Sequence, residues 1–517
     1  MTHEFHSYYY DQMQREPVTE DFLIPAETVM DATLLRELID EHREQHLPRY
    51  EYLDAVYDAH YAIFGELKHP KPEHKPDNRL AADFVYTIIQ TFEGYFIGIP
   101  VDVKAEDEQD GEYLNKYFKR NHQEDVDAEL SKMASKFGHA YEMFYQDNEG
   151  EPRSAAVSPM TAFMVYDDSV LKRPKYFVRY LYDDDGIMKG SYSDDSNVYS
   201  FSEKEGTLTI DEPTDDSEHS FGMVPAIDFI QNSEKRGLCE GVLSLIEAYN
   251  QALSEKANDV EYFSDAILVI QGTELPDDFK KDLNELRLIN LYGDESSSMN
   301  AFYLAKPDSD GMQENFLNRL EMLIFKTAMV PDITNEQFST ASGIALKMRL
   351  MPMSNLARNK ERKFKMGIER RLELLANYPS EPFSGDDWMH VEITMHRNMP
   401  EDIASEASVA GSLSGIVSEE TQLGILSCVD DPKAEIERKQ KEQQAKVENY
   451  SDGMPTERTK TSREPSMYEI TSILDKRRRK AITYNNAVAM LVRIGLDEET
   501  ARKYLDDTDV EEEENEA

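Results

Sequence analysis

The chain has 517 residues, 40% of them hydrophobic, so it is long enough for several packed regions, and this composition excludes an intrinsically disordered protein. Its 56 basic side chains stand against 102 acidic ones, which gives a formal net charge of −46. Such a negative surface repels phosphates and anionic lipids, and it disfavours a conventional protein that grips duplex DNA.

The compartment is indicated by cysteine usage and by the N-terminal residues. Cys239 and Cys428 are far apart and lack the CxxC spacing, which fits a reducing environment and excludes a disulfide framework. The first residues lack the basic and apolar regions of a signal peptide, and no apolar run approaches the roughly 18 residues of a transmembrane helix. We expect an intracellular, soluble protein without membrane contact.

The N-terminal region is predicted to be helical. Asp31 is a suitable cap for a helix that runs to about His46. Within it, His42-Arg43-Glu44-Gln45-His46 comes close to the metalloprotease pattern HExxH, but its glutamate is one place late, so we interpret these residues as a solvated helix face. Two further amphipathic or apolar helical stretches follow, at Arg49–Phe64 and, capped by Asp77-Asn78, at Leu80–Phe92.

From Gly138 to about Ile230 the pattern changes to short runs rich in Tyr, Phe and Val. Turn signals separate these runs at Asp147–Gly150 and at Asp183–Gly186. The acidic turn at Asp183 does not fit the calcium-binding loop of an EF-hand, so we interpret it as a hairpin turn. This region predicts an antiparallel sheet, with runs at His139–Tyr145, Ala155–Tyr166 and Tyr176–Tyr182.

Two long amphipathic helices enclose a small module. The first runs from Leu238 to Phe263, and the second has an apolar stripe from Met312 to Ile324 and ends before Pro331. One subunit need not bury both stripes against itself, so head-to-tail contacts that close a ring are expected to cover the remainder. Between the helices the sequence predicts a short helix at 276–286 and strands at 266–270, 288–292 and 301–304.

A polar loop at 332–341 follows the second long helix. It contains the uncharged side chains of Asn335, Gln337, Ser339 and Thr340. Ser342 then caps a predicted helix from Gly343 to Tyr378, in which Pro352 removes a hydrogen bond and is expected to cause a kink. After it, strict alternation from Trp388 to His396 predicts a half-buried strand.

The helix from Gly343 to Tyr378 is strongly basic, which is unusual in so acidic a chain. Such a helix either touches phosphate or pairs with carboxylates of its own chain or of an adjacent subunit, and the abundance of carboxylates favours the pairing. The candidate residues for phosphate or subunit contact are Lys347, Arg349, Arg358 and Arg362.

The C-terminal region is polar and helical. Ser418 caps one predicted helix, and another starts at Pro432 and runs to about Asn449. A flexible linker is expected at Ser451–Pro465, and a final helical pair, Thr483–Ile494 and Glu498–Leu505, turns at Gly495. The basic cluster Lys476–Lys480 has no clear meaning, and the acidic run Glu511–Glu516 is expected to be disordered.

The sequence contains no credible catalytic constellation. It has no Gly-Lys dipeptide, which excludes a Walker phosphate loop, and it has no HExxH pattern or cluster of His and Cys with metal-ligand spacing. Paired carboxylates occur throughout, so none stands out as an acid–base couple. We therefore predict a protein without enzyme activity, cofactor or metal.

Several motifs resemble the portal, or head–tail connector, proteins of tailed phages of Gram-positive hosts. The resemblance extends over about Glu41 to Ala376, and the motifs occur in the same order. They are Lys75–Leu80, Gly94–Pro100, Gly138–Glu142, Ala248–Asn250 with Ser254–Asp259, Ala341–Lys347 and Ser354–Ala357.

The resemblance implies an α+β portal-like subunit with a mixed α/β wing, a two-helix stem, a small α/β clip and a helical crown. On this chain it implies a wing at 1–237, stem helices at 238–264 and 312–330, and a clip at 265–311. A channel loop, kinked helix and wing strand would fill 331–400, with the crown at 401–450 and a linker, helical pair and acidic tail at 451–517.

The resemblance also implies a mechanical role in the virion, after assembly in the host cytoplasm. A ring of twelve subunits at one capsid vertex would pass double-stranded DNA, and the loop with Asn335, Gln337, Ser339 and Thr340 would face that channel. Its expected partners are the packaging ATPase (terminase), a head-completion or tail adaptor, and scaffolding and major capsid proteins. The alternatives are a DNA-packaging enzyme subunit, such as an ATPase or nuclease, and a minor capsid or adaptor protein that forms no ring.

Overall fold

The computed structural model describes fifteen stretches of the chain, which form two compact units, 1–400 and 401–517. Each unit is considered by itself. The described residues are 20–65, 76–204, 206–213, 217–264, 267–271, 288–291, 300–304, 310–334, 343–379, 382–399, 403–426, 428–429, 431–452, 466–479 and 482–515. Among these residues no helix is both long enough and apolar enough to cross a membrane.

The described helices of the first unit include the three long ones that the sequence predicts. The α-helices are α1 (Ala32–Glu41), α2 (Leu47–Tyr57), α3 (Phe84–Phe96), α4 (Glu108–Asn121), α5 (Gln123–Phe137), α6 (Leu243–Ser264), α7 (Asp310–Ala328) and α8 (Gly343–Asn377). Short 3₁₀ turns lie at Ala62–Phe64 and Asp387–His390. Pro352 lies inside α8.

The strands of the first unit form four sheets among the described residues. They are β1 (Phe22–Ile24), β2 (Asp102–Ala105), β3 (His139–Gln146), β4 (Pro152–Val157), β5 (Ala162–Asp167), β6 (Pro174–Tyr182), β7 (Met188–Ser193), β8 (Val198–Lys204), β9 (Thr207–Ile210), β10 (Ala226–Ile230), β11 (Ile267–Gln271), β12 (Leu288–Leu291), β13 (Asn300–Leu304) and β14 (Val391–Thr394). Their orders are β1-β5-β6-β7-β8-β9, β10-β3-β4, β12-β11-β13 and β14-β2.

The predicted sheet region is confirmed, with two differences. It forms two sheets rather than one, and the expected run 155–166 is divided between β4 and β5. The six-stranded sheet is antiparallel except for β1, which pairs parallel with β5. Aspartates initiate the hairpin turns: Asp147 and Asp183 each accept hydrogen bonds from backbone N–H groups two and four residues ahead.

The N-terminal helix differs from the prediction in its last turn. Asp31 caps α1 as expected, through a 2.8 Å bond from the Leu34 N–H. After Glu41, however, His42–His46 form a π-helical turn before α2 begins. The prediction of a solvated face is wrong, because His42 and His46 are only 1% and 4% exposed. Both imidazoles contact Phe22 of β1, and His42 also stacks on Phe163 of β5.

Other predicted boundaries are also wrong. The helical stretch expected at Arg49–Phe64 ends at Tyr57 as α2, and the long helix expected from Leu238 begins at Leu243 as α6. Helix α3 starts at Phe84, four residues later than expected, and its cap is Asp83 rather than Asp77-Asn78. The strand expected from Trp388 covers only Val391–Thr394, because Asp387–His390 form a 3₁₀ turn. This short strand pairs with β2, and the paired residues are 286 to 292 positions apart in the sequence.

Most of the apolar core of the first unit lies around α3, α6 and α8. Its buried side chains include Ile88, Phe92 and Phe96 of α3, Ile246 of α6 and Phe364 of α8. A second core lies between α1 and the six-stranded sheet. Gly367 allows α8 to approach β10 closely, because a Cβ atom there would lie 2.5 Å from the ring of Phe229.

The second unit contains a three-helix module with its own core. Its described helices are α9 (Ile403–Ser412), α10 (Glu419–Leu423), α11 (Pro432–Asp452), α12 (Met467–Arg478), α13 (Tyr484–Arg493) and α14 (Glu498–Asn515). The module consists of α12, α13 and α14, whose buried residues include Ile470, Leu491 and Leu505.

The predictions for the second unit are largely confirmed. Ser418 caps α10, and Gly495 has φ of 118° at the turn between α13 and α14. The expected linker lies mostly at 453–465, outside the described residues. The prediction of a disordered acidic run from Glu511 is wrong as far as Asn515, since α14 continues to that residue. Helix α12, which the sequence analysis missed, begins with a capping box of Ser466 and Glu469.

Candidate functional site

Helices α6 and α7 pack against each other as an antiparallel pair. At one end, the ring of Phe84 on α3 meets both Tyr249 of α6 and Phe325 of α7, at centroid distances of 4.9 and 5.7 Å. Further along the pair, Lys256 forms an ion pair with Glu314, and Gln313 donates a 2.9 Å hydrogen bond to Asp259. These polar contacts join the two helices near the end that leads to the small module.

The small module is a three-stranded sheet, and all three predicted strands are confirmed. Strand β11 is central, parallel to β12 and antiparallel to β13. The predicted helix at 276–286 lies outside the described residues. Leu291 and Phe302 are 53% and 40% exposed, whereas Val269 on the central strand is 2% exposed. The sheet therefore combines a buried position on its central strand with an exposed apolar side chain on each of its two outer strands.

Two of the motifs noted in the sequence contact each other directly. The extended backbone at 78–82 runs along α6, and its alternate N–H groups donate to side chains of that helix. Asn78 donates to Asn258 at 2.5 Å, Leu80 to Ser254 at 2.9 Å and Ala82 to Asn250 at 2.8 Å. The acceptors are four residues apart and face one side of α6, and all three are buried. This row of hydrogen bonds attaches α6 to the segment that leads into α3.

The apolar stripes of the helix pair are only partly buried within one chain. Leu317, Leu320 and Ile324 of α7 are in the core. In contrast, Val260 of α6 and Met312 and Phe316 of α7 are 64%, 72% and 51% exposed. An exposed apolar strip of this kind on a long helix is typical of a surface that another chain covers.

The basic helix α8 is held in the first unit by two buried ion pairs. The Lys360 ammonium lies 2.7 Å from Glu93 of α3 and also donates to the Ser131 carbonyl and the Ser135 hydroxyl. Burial lowers the pKa of Lys360, although Glu93 opposes the shift. These bonds occupy all three donors of the ammonium group.

The second ion pair involves two carboxylates. The Arg371 guanidinium, 1% exposed, binds Glu142 of β3 at 2.9 Å and Asp127 of α5 at 2.5 Å. Burial would lower the pKa of Arg371, but Asp127 and Glu142 outweigh it and raise that pKa. For Glu142 burial dominates, and its pKa is raised. The pairing interpretation is therefore correct for Lys360 and Arg371.

The four basic residues of α8 that were predicted to contact phosphate or an adjacent subunit lie elsewhere on the helix. Lys347, Arg349, Arg358 and Arg362 are all exposed. At 100° per residue, Lys347, Arg358 and Arg362 fall on one stripe, opposite the face that carries Lys360 and Arg371, whereas Arg349 lies off that stripe. Arg362 donates to the Asn359 side chain of its own helix. In the described residues, none of the four forms a salt bridge.

The loop residues Asn335, Gln337, Ser339 and Thr340 lie outside the described residues, as does Ser342. The segment before them is described: Asp332 accepts bonds from the N–H and hydroxyl groups of Thr334. The structure therefore fixes where the loop leaves α7 and where it enters α8. In the part of the chain that is described, no three His, Cys, Asp or Glu side chains are placed to share a metal ion.

Comparison with known families gives one match that covers most of the chain. The family model described as "Phage portal protein, SPP1 Gp6-like" matches residues 36–449. The described elements β1, α12, α13 and α14 lie outside the matched residues.

The chain is also similar to curated proteins and solved structures. It is 23% identical over 440 residues to the portal protein of Bacillus phage SPP1, covering 80% of this chain and 86% of that protein. It is 22% identical to the portal protein of Clostridium phage phiCD119, covering 41% and 47%. Chains in the neck of an empty gene transfer agent particle and in a native gene transfer agent virion match with TM-scores of 0.39 and 0.38, both at 9% identity. They cover 66% and 73% of this chain and 89% and 92% of theirs.

Proposed function

We propose a function from one premise: this chain belongs to the SPP1 Gp6-like family of phage portal proteins. It is a structural, non-enzymatic subunit of the multi-subunit ring in a phage particle, through which double-stranded DNA is packaged and ejected. The observation that carries this conclusion is the family match over residues 36–449. The order of long helix, small module and long helix supports it independently.

We propose the finer assignments from the order of the elements. The pair α6 and α7 is the stem, strands β11 to β13 belong to the clip, and the remainder of the first unit up to α6 is the wing. The two stem helices begin at Leu243 and at Asp310. The chain forms a turn just before Leu243, and Glu240 in that turn pairs with Arg49. Helices α9 to α11 form the crown, while the module of α12 to α14 is an addition beyond it.

The proposed assembly has twelve subunits and forms in the host cytoplasm. Its proposed partners are the packaging ATPase (terminase), a head-completion or tail adaptor, and scaffolding and major capsid proteins. Docking on the clip is supported by the exposed Leu291 and Phe302, because partners commonly cover exposed apolar edges of this kind.

The loop at 335–340 is proposed to face the DNA channel. Its Gln337 and Thr340 exchange hydrogen bonds with phosphate and water without the strong attraction of an ammonium group. We expect Gln337→Lys with Thr340→Lys to leave ring assembly intact and to slow packaging at least several-fold, most strongly at low salt. The measurement is DNA packaged per unit time into capsids that carry the variant ring.

A matched pair of lysines elsewhere provides the control for the loop. Thr207→Lys and Thr209→Lys lie on the exposed edge strand β9 and add the same charge to the chain. We expect these variants to package at the wild-type rate. A fully assembled loop variant that also packages at the wild-type rate would contradict a channel position for the loop.

The exposed basic stripe of α8 is proposed to contact carboxylates of the adjacent subunit. We expect Arg358→Gln with Arg362→Gln to weaken each subunit contact by about 0.5–2 kcal/mol, since exposed ion pairs contribute about 0.2–1 kcal/mol each. Variant rings should then dissociate at lower salt than wild-type rings, as followed by particle mass at increasing NaCl. Arg438→Gln, which removes an exposed ion pair with Glu435 on α11, is the control.

A different result would assign the stripe to DNA. If the Arg358 and Arg362 variant rings were as stable as wild-type rings at every salt concentration but packaged DNA more slowly, the stripe would contact phosphate instead. That outcome overturns the subunit contact without affecting the proposed portal function.

A further inference from the structure

A cluster of three buried histidines lies between the N-terminal helices and the sheets. His42, His46 and His139 are 1%, 4% and 5% exposed, and they line a small, partly open cavity of about 10 Å³, room for about one water molecule. His42 and His46 have the spacing of the metalloprotease pattern HExxH, but Glu44 is one place late for that pattern, and no three His, Cys, Asp or Glu side chains of the described residues are placed to share a metal ion. The portal function makes no use of this cluster.

Burial, not hydrogen bonding, favours the neutral form of two of the imidazoles. His42 donates from Nε2 to the Pro159 carbonyl at 2.9 Å, and in the neutral ring its Nδ1 accepts from the Tyr180 hydroxyl at 2.7 Å. His139 donates to Asp228 at 3.1 Å and accepts from the Tyr50 hydroxyl at 2.8 Å. His46 has ring contacts with Phe22 and Tyr50 but no hydrogen-bond partner in the described residues.

The charges around His46 oppose its protonation. The cations Lys235 and Arg49 face it, and the acidic groups nearby already bind them: Lys235 pairs with Asp21 at 2.7 Å and Asp228 at 2.6 Å, and Arg49 pairs with Glu240. The ionisable groups that face the cavity or its histidines are Glu20, Asp21, Arg49, Tyr50, Tyr141, Tyr180, Asp228 and Lys235.

Burial lowers the pKa of His42 to about 4, and burial together with His42 lowers the pKa of His46 to about 3. For Asp228 burial opposes ionisation, but Lys235 and His139 outweigh it and hold its pKa well below the usual range. The ion pairs of Lys235 therefore persist at pH values at which the histidines already bind protons.

The cluster also supports the N-terminal edge strand. Strand β1 has only three residues, and among the described strands it pairs only with β5. Phe22 of β1 packs on the His46 ring at 4.8 Å and on Phe163 at 4.6 Å between centroids. Strand β1 precedes the residues that the family model matches, whereas His42, His46 and β5 lie within them.

We propose that His42 and His46 form an acid-sensitive latch that holds β1 on the sheet when neutral and releases it when protonated. Both histidines lose proton affinity on folding, so their contribution to stability is fully present above about pH 6.5 and is lost as the pH falls toward 4. Release of β1 lowers the free-energy cost of protonating the buried histidines, because it opens the cavity more widely to water beside His46.

The test is hydrogen–deuterium exchange of the full chain at pH 7.0 and pH 4.5, corrected for the intrinsic exchange rate. In the wild-type protein, protection of the peptide that contains 22–24 should fall at least tenfold at pH 4.5, while strands β6 and β7 stay protected. If that peptide in the wild-type protein is equally protected at pH 7.0 and pH 4.5, the proposal is wrong, and no variant is needed to show it.

Two variants separate the latch from general acid loosening. His46→Phe keeps an aromatic contact for Phe22 and removes the proton site, so at pH 4.5 the loss of protection should be about tenfold smaller than in the wild type. His390→Phe changes a histidine whose side chain is 67% exposed and should behave as the wild type. If His46→Phe, folded at pH 7.0, lost protection as fully as the wild type, the latch would be disproved.

Discussion

Replacing Arg371 by methionine is expected to lower the free energy of unfolding of the first unit by about 3–5 kcal/mol, the usual cost of leaving a buried charge without its partner. The substitution leaves Asp127 and Glu142 side by side in the core, 8% and 0% exposed, with no cation between them. Methionine fills much of the space that the arginine occupied, so the loss comes mainly from the carboxylates and only to a small extent from packing.

The adjacent residue offers a matched control. Arg370 pairs with Glu373 three residues ahead on α8, and both side chains are about 30% exposed. Arg370→Met should cost less than about 1 kcal/mol, because water screens this pair. Denaturation can be followed by the fluorescence of Trp388, the single tryptophan, which packs against the core that contains α8.

The Arg371 variant should also respond differently to pH. Burial already raises the pKa of Glu142, and loss of the guanidinium raises it further. A carboxyl group whose pKa rises on folding stabilises the fold at low pH and loses that contribution as the pH rises through the folded value. The loss in free energy of unfolding that Arg371→Met causes should therefore be smaller at pH 5 than at pH 7. Equal stability of Arg371→Met and Arg370→Met at pH 7 would show that the buried ion pairs of Arg371 do not stabilise the fold.

Replacing Phe316 by aspartate is expected to abolish closed rings at concentrations at which the wild type assembles. Phe316 lies on the exposed apolar strip of the proposed stem, with Met312 and Val260. A buried carboxylate without a partner costs several kcal/mol at each subunit contact, which weakens association by at least a hundredfold. Because a ring repeats the same contact at every subunit, the loss applies at each of them.

Leu181→Asp is the control for this variant. Leu181 on β6 is 46% exposed, close to the value for Phe316, but it lies on the sheet away from the helix pair. Particle mass in solution should show rings for Leu181→Asp and small species for Phe316→Asp, with the same circular dichroism spectrum for both. Intact rings of the Phe316 variant would place the strip outside the subunit interface.

Elements with strong local signals were predictable from the sequence. The stripe of α6, the aspartate turns of the hairpins and the caps Asp31 and Ser418 all depend on residues within a few positions of each other. The capping box of Ser466 and Glu469 was equally local and would have predicted α12.

The burial of His42 and His46 was not predictable in this way. It depends on β1 and β5 and on a π-helical turn, and none of these leaves a period in the sequence around the histidines. The start of α3 was misplaced for a similar reason: the N–H groups of Asn78 and Leu80 have acceptors on α6, so Asp77-Asn78 need not cap a helix.

The charged residues of α8 illustrate the same limit. The sequence shows a basic helix but does not show which of its charges are buried, since Glu93 is 267 residues from Lys360 and Glu142 is 229 residues from Arg371. One signal was available on α6: Asn250, Ser254 and Asn258 recur every four residues beside its apolar stripe. Such a polar row on a buried face indicates a partner with free backbone N–H groups.

The most direct test is electron microscopy of the purified full-length chain, combined with its particle mass in solution. The portal assignment predicts closed rings with a central hole and a mass of twelve chains, present without any other phage protein. Only monomers, or open-ended chains of subunits, over a wide range of salt and protein concentration would contradict it.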